Sequence, residues 1–187
     1  MWKPLKGNAF YEINIEGEVR RASSKRHLKL IASGNGRGIG NYWLKGNGKT
    51  RVVSKPTLLN ENYPYYFIKD LDDDEGCKPF KSADGYYITN KGRVFSTYSG
   101  RWLTPYYENR DDIDYYYSVG IQNKRYRLHT EVGKHFLVGY NHTLDVAHID
   151  ENLPAPEIYS VSNLRLLSRG DNIKESITKG RSVYATY

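Results

Sequence analysis

Asp145-Val-Ala-His148-Ile-Asp150-Glu-Asn152, then Ser162-Asn163-Leu-Arg165-Leu-Leu167, then Asp171-Asn172, is the part of the chain whose reading decides the rest. The first run is short and apolar and ends on a histidine. The second opens on an asparagine, and a third segment of helical pattern carries another. The pattern predicts strand, loop, strand, helix, with His148, Asn163 and Asn172 each near an element boundary. These residue types suit phosphodiester hydrolysis. A neutral histidine takes a proton near pH 7, and one hard divalent cation neutralises the phosphate and the leaving oxygen.

The stretch resembles the HNH family, in particular the small homing-type HNH endonucleases of phages. The pattern there runs Val-[Asp/His]-His-x-Asp-Gly-Asn, then Asn-Leu-Arg-Trp, then a helical Asn. By that resemblance His148 is the general base, and Asn163 orients the histidine or the phosphate. Asn172 is a ligand of one Mg²⁺ (or Mn²⁺), and Asp150 and Asn152 shape the loop. Three positions depart from the pattern. Ala147 stands where the family has an Asp or His ligand, Glu151 replaces the loop glycine, and residues 153–160 form a longer loop. Asp145 is the candidate replacement ligand. It shares a strand face with Ala147 and lies one repeat further from His148, roughly 6.5 Å along the strand; Asp150 is a second candidate.

The bulk composition points the same way. Across 187 residues the formal net charge is +7 and the pI about 9.3, which favours an anionic partner such as double-stranded DNA. Residues 1–60 hold twelve Lys or Arg against three acids. Arg20, Arg21, Lys25, Arg26 and Lys29 form a basic cluster there, read as phosphate contacts, as are Arg165, Arg169 and Lys174. Cys77 is the single cysteine, so a disulfide or Cys-rich zinc site within the chain is excluded and a reducing cytosol fits. No apolar run is long enough to span a membrane. With the phage resemblance, the expected location is the cytoplasm of an infected bacterial cell.

The chain also repeats itself. Trp2-Lys-Pro-Leu-Lys6 and Tyr11-Glu-Ile-Asn-Ile-Glu-Gly17-Glu-Val19 align without a gap to Cys77-Lys-Pro-Phe-Lys81 and Tyr86-Tyr-Ile88-Thr-Asn-Lys-Gly92-Arg-Val94. About twelve identities fall over roughly 53 aligned residues at an offset of 75, which reads as an internal duplication of residues 2–54 and 77–129. Each copy predicts a small β unit ending in a strand pair around Gly46-Asn-Gly-Lys49 or Gln122-Asn-Lys124. Its signature resembles the module that precedes the HNH motif in phage homing endonucleases. The helical segment Tyr126–Phe136 with His129 matches the apolar-His connection of that family. His129 reads as a packing or hydrogen-bonding support, and His135 and His142 as fillers. In the first copy Ser54 takes the place of His129, and no His-Ile-Asp motif follows.

Lys69-Asp-Leu-Asp-Asp-Asp-Glu75-Gly reads as a solvated linker, since calcium-loop spacing is absent. Gly34-Asn-Gly36-Arg-Gly38-Ile-Gly40 reads as a flexible turn. Tyr63–Tyr66 and Tyr115–Tyr117 fill cores or stack on bases. The basic tail Lys179–Tyr187 lies along phosphates or frays.

The expectation is an α+β chain of two tandem β-rich modules, the second followed by a ββα-metal motif. Its divisions are 1–68, a linker at 69–76, 77–140 and 141–187. The expected function is Mg²⁺-dependent cleavage of DNA. The alternatives are an HNH-derived binding module without catalysis, placed in a larger phage protein complex, and a basic structural or ribosome-associated protein.

Overall fold

The structure is a computed structural model that describes residues 1–32, 40–110 and 114–179. Most of the glycine run 34–40 and the tail beyond Lys179 therefore lie outside the described residues. The fold is α+β, mixed antiparallel sheets with three α-helices among the described residues, and the chain divides into two compact units. The first takes Met1–Leu71 with Ser96–Arg101, the second Asp72–Phe95 with Trp102 onward.

In the first unit β1 (Trp2–Leu5), β2 (Asn8–Asn14) and β3 (Val19–Arg21) form one sheet. A second sheet holds β4 (Ile31–Ala32), β5 (Gly40–Gly46) and β6 (Lys49–Ser54), and α1 (Lys55–Asn62) follows. Period-two alternation turns Tyr11, Ile13, Tyr42 and Leu44 inward, where they meet Leu5, Val19 and Leu58 in one core. Ser54 caps α1 by accepting from the Thr57 amide at 3.2 Å.

The second unit begins with β7 (Cys77–Pro79) and β8 (Tyr86–Thr89); β9 (Val94–Ser96) and β10 (Arg101–Trp102) follow, except that Ser96 and Arg101 group with the first unit. A three-stranded sheet of β11 (Tyr106–Arg110), β12 (Asp114–Ile121) and β13 (Lys124–Arg127) follows, then α2 (Leu128–Phe136). The unit ends in β14 (Leu144–His148), β15 (Leu164–Ser168) and α3 (Arg169–Thr178). Ile88, Val119, Leu128, Val132, Tyr159 and Leu164 belong to a single buried cluster. Residues 77–140 and the final hairpin thus share one core, and the division of the chain runs at 71/72.

Several features recur 75 residues apart. Strand β3 falls on β9, and the starts of β6 and β13 coincide. Left-handed residues Gly17, Lys25, Asn47 and Gly48 have counterparts in Gly92, Gly100, Gln122 and Asn123. Both late hairpins turn on two such residues, with Gly46 opposite Lys49 and Ile121 opposite Lys124. Gly92 is required twice over. Its φ is +76°, and a Cβ there would sit 2.4 Å from the Tyr159 ring.

The linker reading of the acidic stretch is corrected for Asp72–Gly76. Asp72 and Asp74 both pair with Lys91, at 3.0 and 2.6 Å. Glu75 is buried and takes two hydrogen bonds from the Arg93 guanidinium, that from Nε at 2.8 Å. The Gly76 amide donates to Asn90 Oδ1 at 2.9 Å. These acids fold onto the β8–β9 turn because its cations neutralise them.

Candidate active site

The antiparallel pair β14–β15 sets His148 opposite Leu164, Ala147 opposite Arg165 and Asp145 opposite Leu167. Ser168 begins α3 by accepting from the Asp171 amide at 3.1 Å. Along the chain β14, the loop, β15 and α3 follow one another.

Asn163 holds the loop between the strands. It is buried, and its Oδ1 accepts from the Asp150 amide at 2.8 Å. Its Nδ2 donates to the carbonyls of Asp150 and Ile158 at 2.7 and 3.0 Å. Its amide is committed, so the expectation that Asn163 orients the histidine or a phosphate is corrected: it is a positioning residue for the backbone that follows His148. Asp150 accepts from the Asn152 amide at 2.9 Å and closes a local turn.

His148 lines a small polar cavity of about 100 Å³ with Tyr116, His129, Ala147, Glu151, Asn172 and Glu175. His129 is buried behind it, its ring centroid 4.8 Å from that of His148. Tyr116 stacks on His129 at 4.8 Å and 25°, and the Arg127 guanidinium lies 4.3 Å over Tyr116. Burial first, then the neighbouring His148, Arg127 and Lys134, lower the His129 pKa to about 3. His129 is therefore a neutral wall for the cavity at ordinary pH. Its Nε2 lies 3.1 Å from Thr130 Oγ1.

His135 is tied in the core. Its Nδ1 donates to the Glu131 carbonyl at 2.7 Å, and its Nε2 accepts from the Lys81 amide at 3.0 Å. His142 is exposed.

The two proposed metal ligands meet, Asn172 Nδ2 donating to Asp145 Oδ2 at 3.0 Å, although Asp145 is not among the cavity residues. Within the cavity the Ala147 methyl offers no lone pair, and both carboxylates already have cations. Arg165 gives Glu175 two hydrogen bonds, at 2.6 and 2.7 Å. Lys179 reaches Glu175 at 2.6 Å and Glu151 at 2.9 Å. The Lys179 hydrogen bond first, with help from Arg165, holds the Glu175 carboxyl below its ordinary value. Two acids balanced by two cations, with no third His, Cys, Asp or Glu in metal-holding geometry among the described residues, do not fit a divalent ion.

The expected phosphate-contacting residues are distributed unevenly. Arg165 is engaged with Glu175, whereas Arg169 and Lys174 are exposed on α3, Lys174 lying 3.6 Å from Asp171. Arg20 and Lys25 both bind Glu12, at 2.7 and 2.9 Å, and Arg20 also covers the Trp2 ring at 4.1 Å. Arg21, Arg26 and Lys29 are exposed. Tyr117 packs between Tyr107 and Tyr159, and the Tyr63 hydroxyl donates to the Ile13 carbonyl at 3.0 Å.

Over 108 residues the chain is 29% identical to DNA endonuclease I-HmuI of Bacillus phage SP01. The matched part of the chain is thus similar to a phage DNA endonuclease. It amounts to 55% of this chain and 58% of the phage enzyme, so little more than half of that relative is spanned. A solved structure titled as DNA binding and cleavage by the HNH homing endonuclease I-HmuI aligns with a TM-score of 0.46 and 27% identity. It covers 57% of this chain and 60% of that one. No protein-family model matches.

Two parts of this site, Tyr116 and the Glu175–Lys179 pair, carry no motif in the sequence. Tyr116 belongs to a tyrosine run whose alternation sends Tyr117 to the core, and by the same period Tyr116 faces the other way. Glu175 follows Asn172 by about one turn of α3, and Lys179, at the helix C-cap, lies four residues beyond Glu175, which was the available signal. Among the described residues no helix is long and apolar enough to cross a membrane.

Proposed function

We propose that this chain binds double-stranded DNA through an HNH homing-endonuclease scaffold, with His148 as the base of an inherited nuclease pocket. The observation that carries this reading is the shared polar cavity of His148 on β14 and Asn172 on α3, in a chain similar to a phage DNA endonuclease. Tyr116 and His129 position His148, and Asn163 fixes the loop behind it. Exposed Arg169 and Lys174 supply phosphate contacts at the start of α3. The two units descend from one duplicated module, a reading supported by the recurring left-handed positions. The second copy carries the HNH-like hairpin and helix.

Because the cavity acids are internally neutralised, binding without metal-assisted hydrolysis is the function the geometry supports best. A place in a phage protein complex would follow from such a role. One observation favours the second reading, cleavage with Mg²⁺ or Mn²⁺: the 3.0 Å approach of Asp145 to Asn172 brings a carboxylate to the helix amide. Nicking of supercoiled plasmid with either ion, wild type beside His148→Ala, separates the two. Metal-dependent nicking lost in the variant establishes cleavage, and duplex binding without nicking above the variant's background supports the binding role. A chain that neither binds duplex nor nicks removes both.

A further inference from the structure

We propose that the first unit carries its own site for an unpaired base of a nucleic-acid strand, in the groove between β2, the end of β3 and the β5–β6 turn. The groove has a volume of about 790 Å³, within the range of sites that take small organic groups. Phe10 stands in it with 62% of its surface exposed. An exposed aromatic ring of this kind is costly to leave in water and suited to stacking against a flat partner. A base inside a duplex has both faces covered by its neighbours. An extruded or single-stranded base can cover Phe10.

The charge around the ring selects the partner. Arg21 and Lys45 line the groove, and Lys49 and Arg51 line the adjoining depression by the β1–β2 turn. Neither lining contains an acid. Arg51 pairs with Glu61 at 2.8 Å, whereas Arg21, Lys45 and Lys49 are exposed. The first unit holds fourteen Lys and Arg against five acids, the second fourteen against sixteen. Aromatic surface beside exposed cations is what a strand's alternating bases and phosphates fit.

The groove is built rather than fortuitous. The Lys45 amide donates to Tyr11 Oη at 3.0 Å, which fixes β5 against the buried Tyr11. The Phe10 backbone is held by Asn8 Oδ1 at 3.3 Å and by the Ala22 amide at 2.9 Å. Asn47 and Gly48 turn the hairpin with φ of 50° and 72°, leaving Lys45 and Lys49 on its two arms. The aligned position to Phe10 in the second unit is Gly85, so the ring distinguishes this copy from the HNH-like one.

The inference deepens the nucleic-acid reading and is tested apart from it. The full chain, in EDTA, is titrated by fluorescence anisotropy with labelled oligo-dT, the matching oligo-U, a duplex, and poly-glutamate as a charge-only control. Phe10→Ala is expected to weaken oligo-dT binding about tenfold or more with its melting temperature kept, and Phe10→Trp to retain it. Arg21→Ala with Lys45→Ala is expected to lower the salt slope by about 1.4, close to 0.7 per phosphate contact on a single strand. The oligo-U arm separates DNA from RNA as the source of the same chemistry. Oligo-dT binding that is absent in the wild type, or unchanged in Phe10→Ala, overturns the site. Equal binding of poly-glutamate overturns it in favour of an acidic protein partner. Loss of duplex binding alone, with the Phe10 effect on oligo-dT intact, sinks the HNH-derived reading and leaves this site standing.

Discussion

Ala147 is the residue on which the pocket's chemistry turns. It lies beside His148, lines the same cavity as Asn172, and faces Arg165 across the ladder. Restoring a carboxylate, Ala147→Asp, adds the hard oxygen that the cavity lacks beside the amide. We expect Mn²⁺ affinity in titration calorimetry to rise about tenfold or more, since ligand charge sets affinity for hard cations. Unchanged Mn²⁺ affinity in Ala147→Asp would show that Arg165 captures the new carboxylate and that the ion-pair network dominates.

His129 makes a second prediction at this scale. Its pKa of about 3 lies below the unfolded value near 6.5, so the unfolded chain binds the extra proton. Stability from this group is present above about pH 6.5 and is lost as pH falls towards 3, by about 1.4 kcal/mol per pH unit. Urea unfolding at pH 7 and pH 5 should differ by about 2 kcal/mol more in wild type than in His129→Phe. His135, also lowered by burial, contributes in the same direction in both proteins and cancels. Equal differences in the two proteins would place His129 in contact with water.

The placement of His148 at a strand end, with Asp150 and Asn152 in the loop after it, was legible because a short pattern carries it. Residue roles were not legible where the partner is remote. Glu75 reads as one more solvated acid until the fold brings Arg93 to it, and Arg165 reads as a phosphate contact until Glu175 is placed against it.

At the scale of elements, α2 and β14 meet through a missing side chain. A Cβ on Gly133 would lie 2.4 and 2.6 Å from the two Val146 methyls and 3.1 Å from its Cβ. Rotating the valine moves its methyls but not its Cβ, so Gly133→Ala must push the strand away despite alanine's better helix propensity. We expect a net loss of about 1–3 kcal/mol in urea unfolding, with Val146→Ala in the same chain recovering much of it. Additive losses in the double variant would mean that the two do not touch. The shift would also be felt two residues later at His148. Strands and turns were readable because alternation and the Asn47-Gly48 pair announce them, and Gln122-Asn123 follows at the repeat offset. The close approach at Gly133 was not, because a glycine within a helical pattern gives no partner.

For the whole molecule, charge is divided between the units rather than spread over them. The first unit has nine more cations than acids and the second two fewer, so long-range attraction to any polyanion would come from the first. The basic cluster seen in sequence splits by chemistry. Arg20 and Lys25 share Glu12, whose pKa is lowered by Lys25 and then Arg20, while Arg26 and Lys29 are exposed without an ion pair among the described residues. A cation already paired within the protein displaces fewer counterions from DNA than one facing water. Duplex binding measured between 50 and 200 mM salt should therefore respond differently to two double variants of the same net charge. Arg26→Gln with Lys29→Gln is expected to reduce the salt slope by about 1.8, whereas Arg20→Gln with Lys25→Gln should change it by well under one. Equal changes would mean that Glu12 releases its cations on binding. No change in either would move the electrostatic contact to the second unit, where Arg169 and Lys174 are the exposed cations of α3.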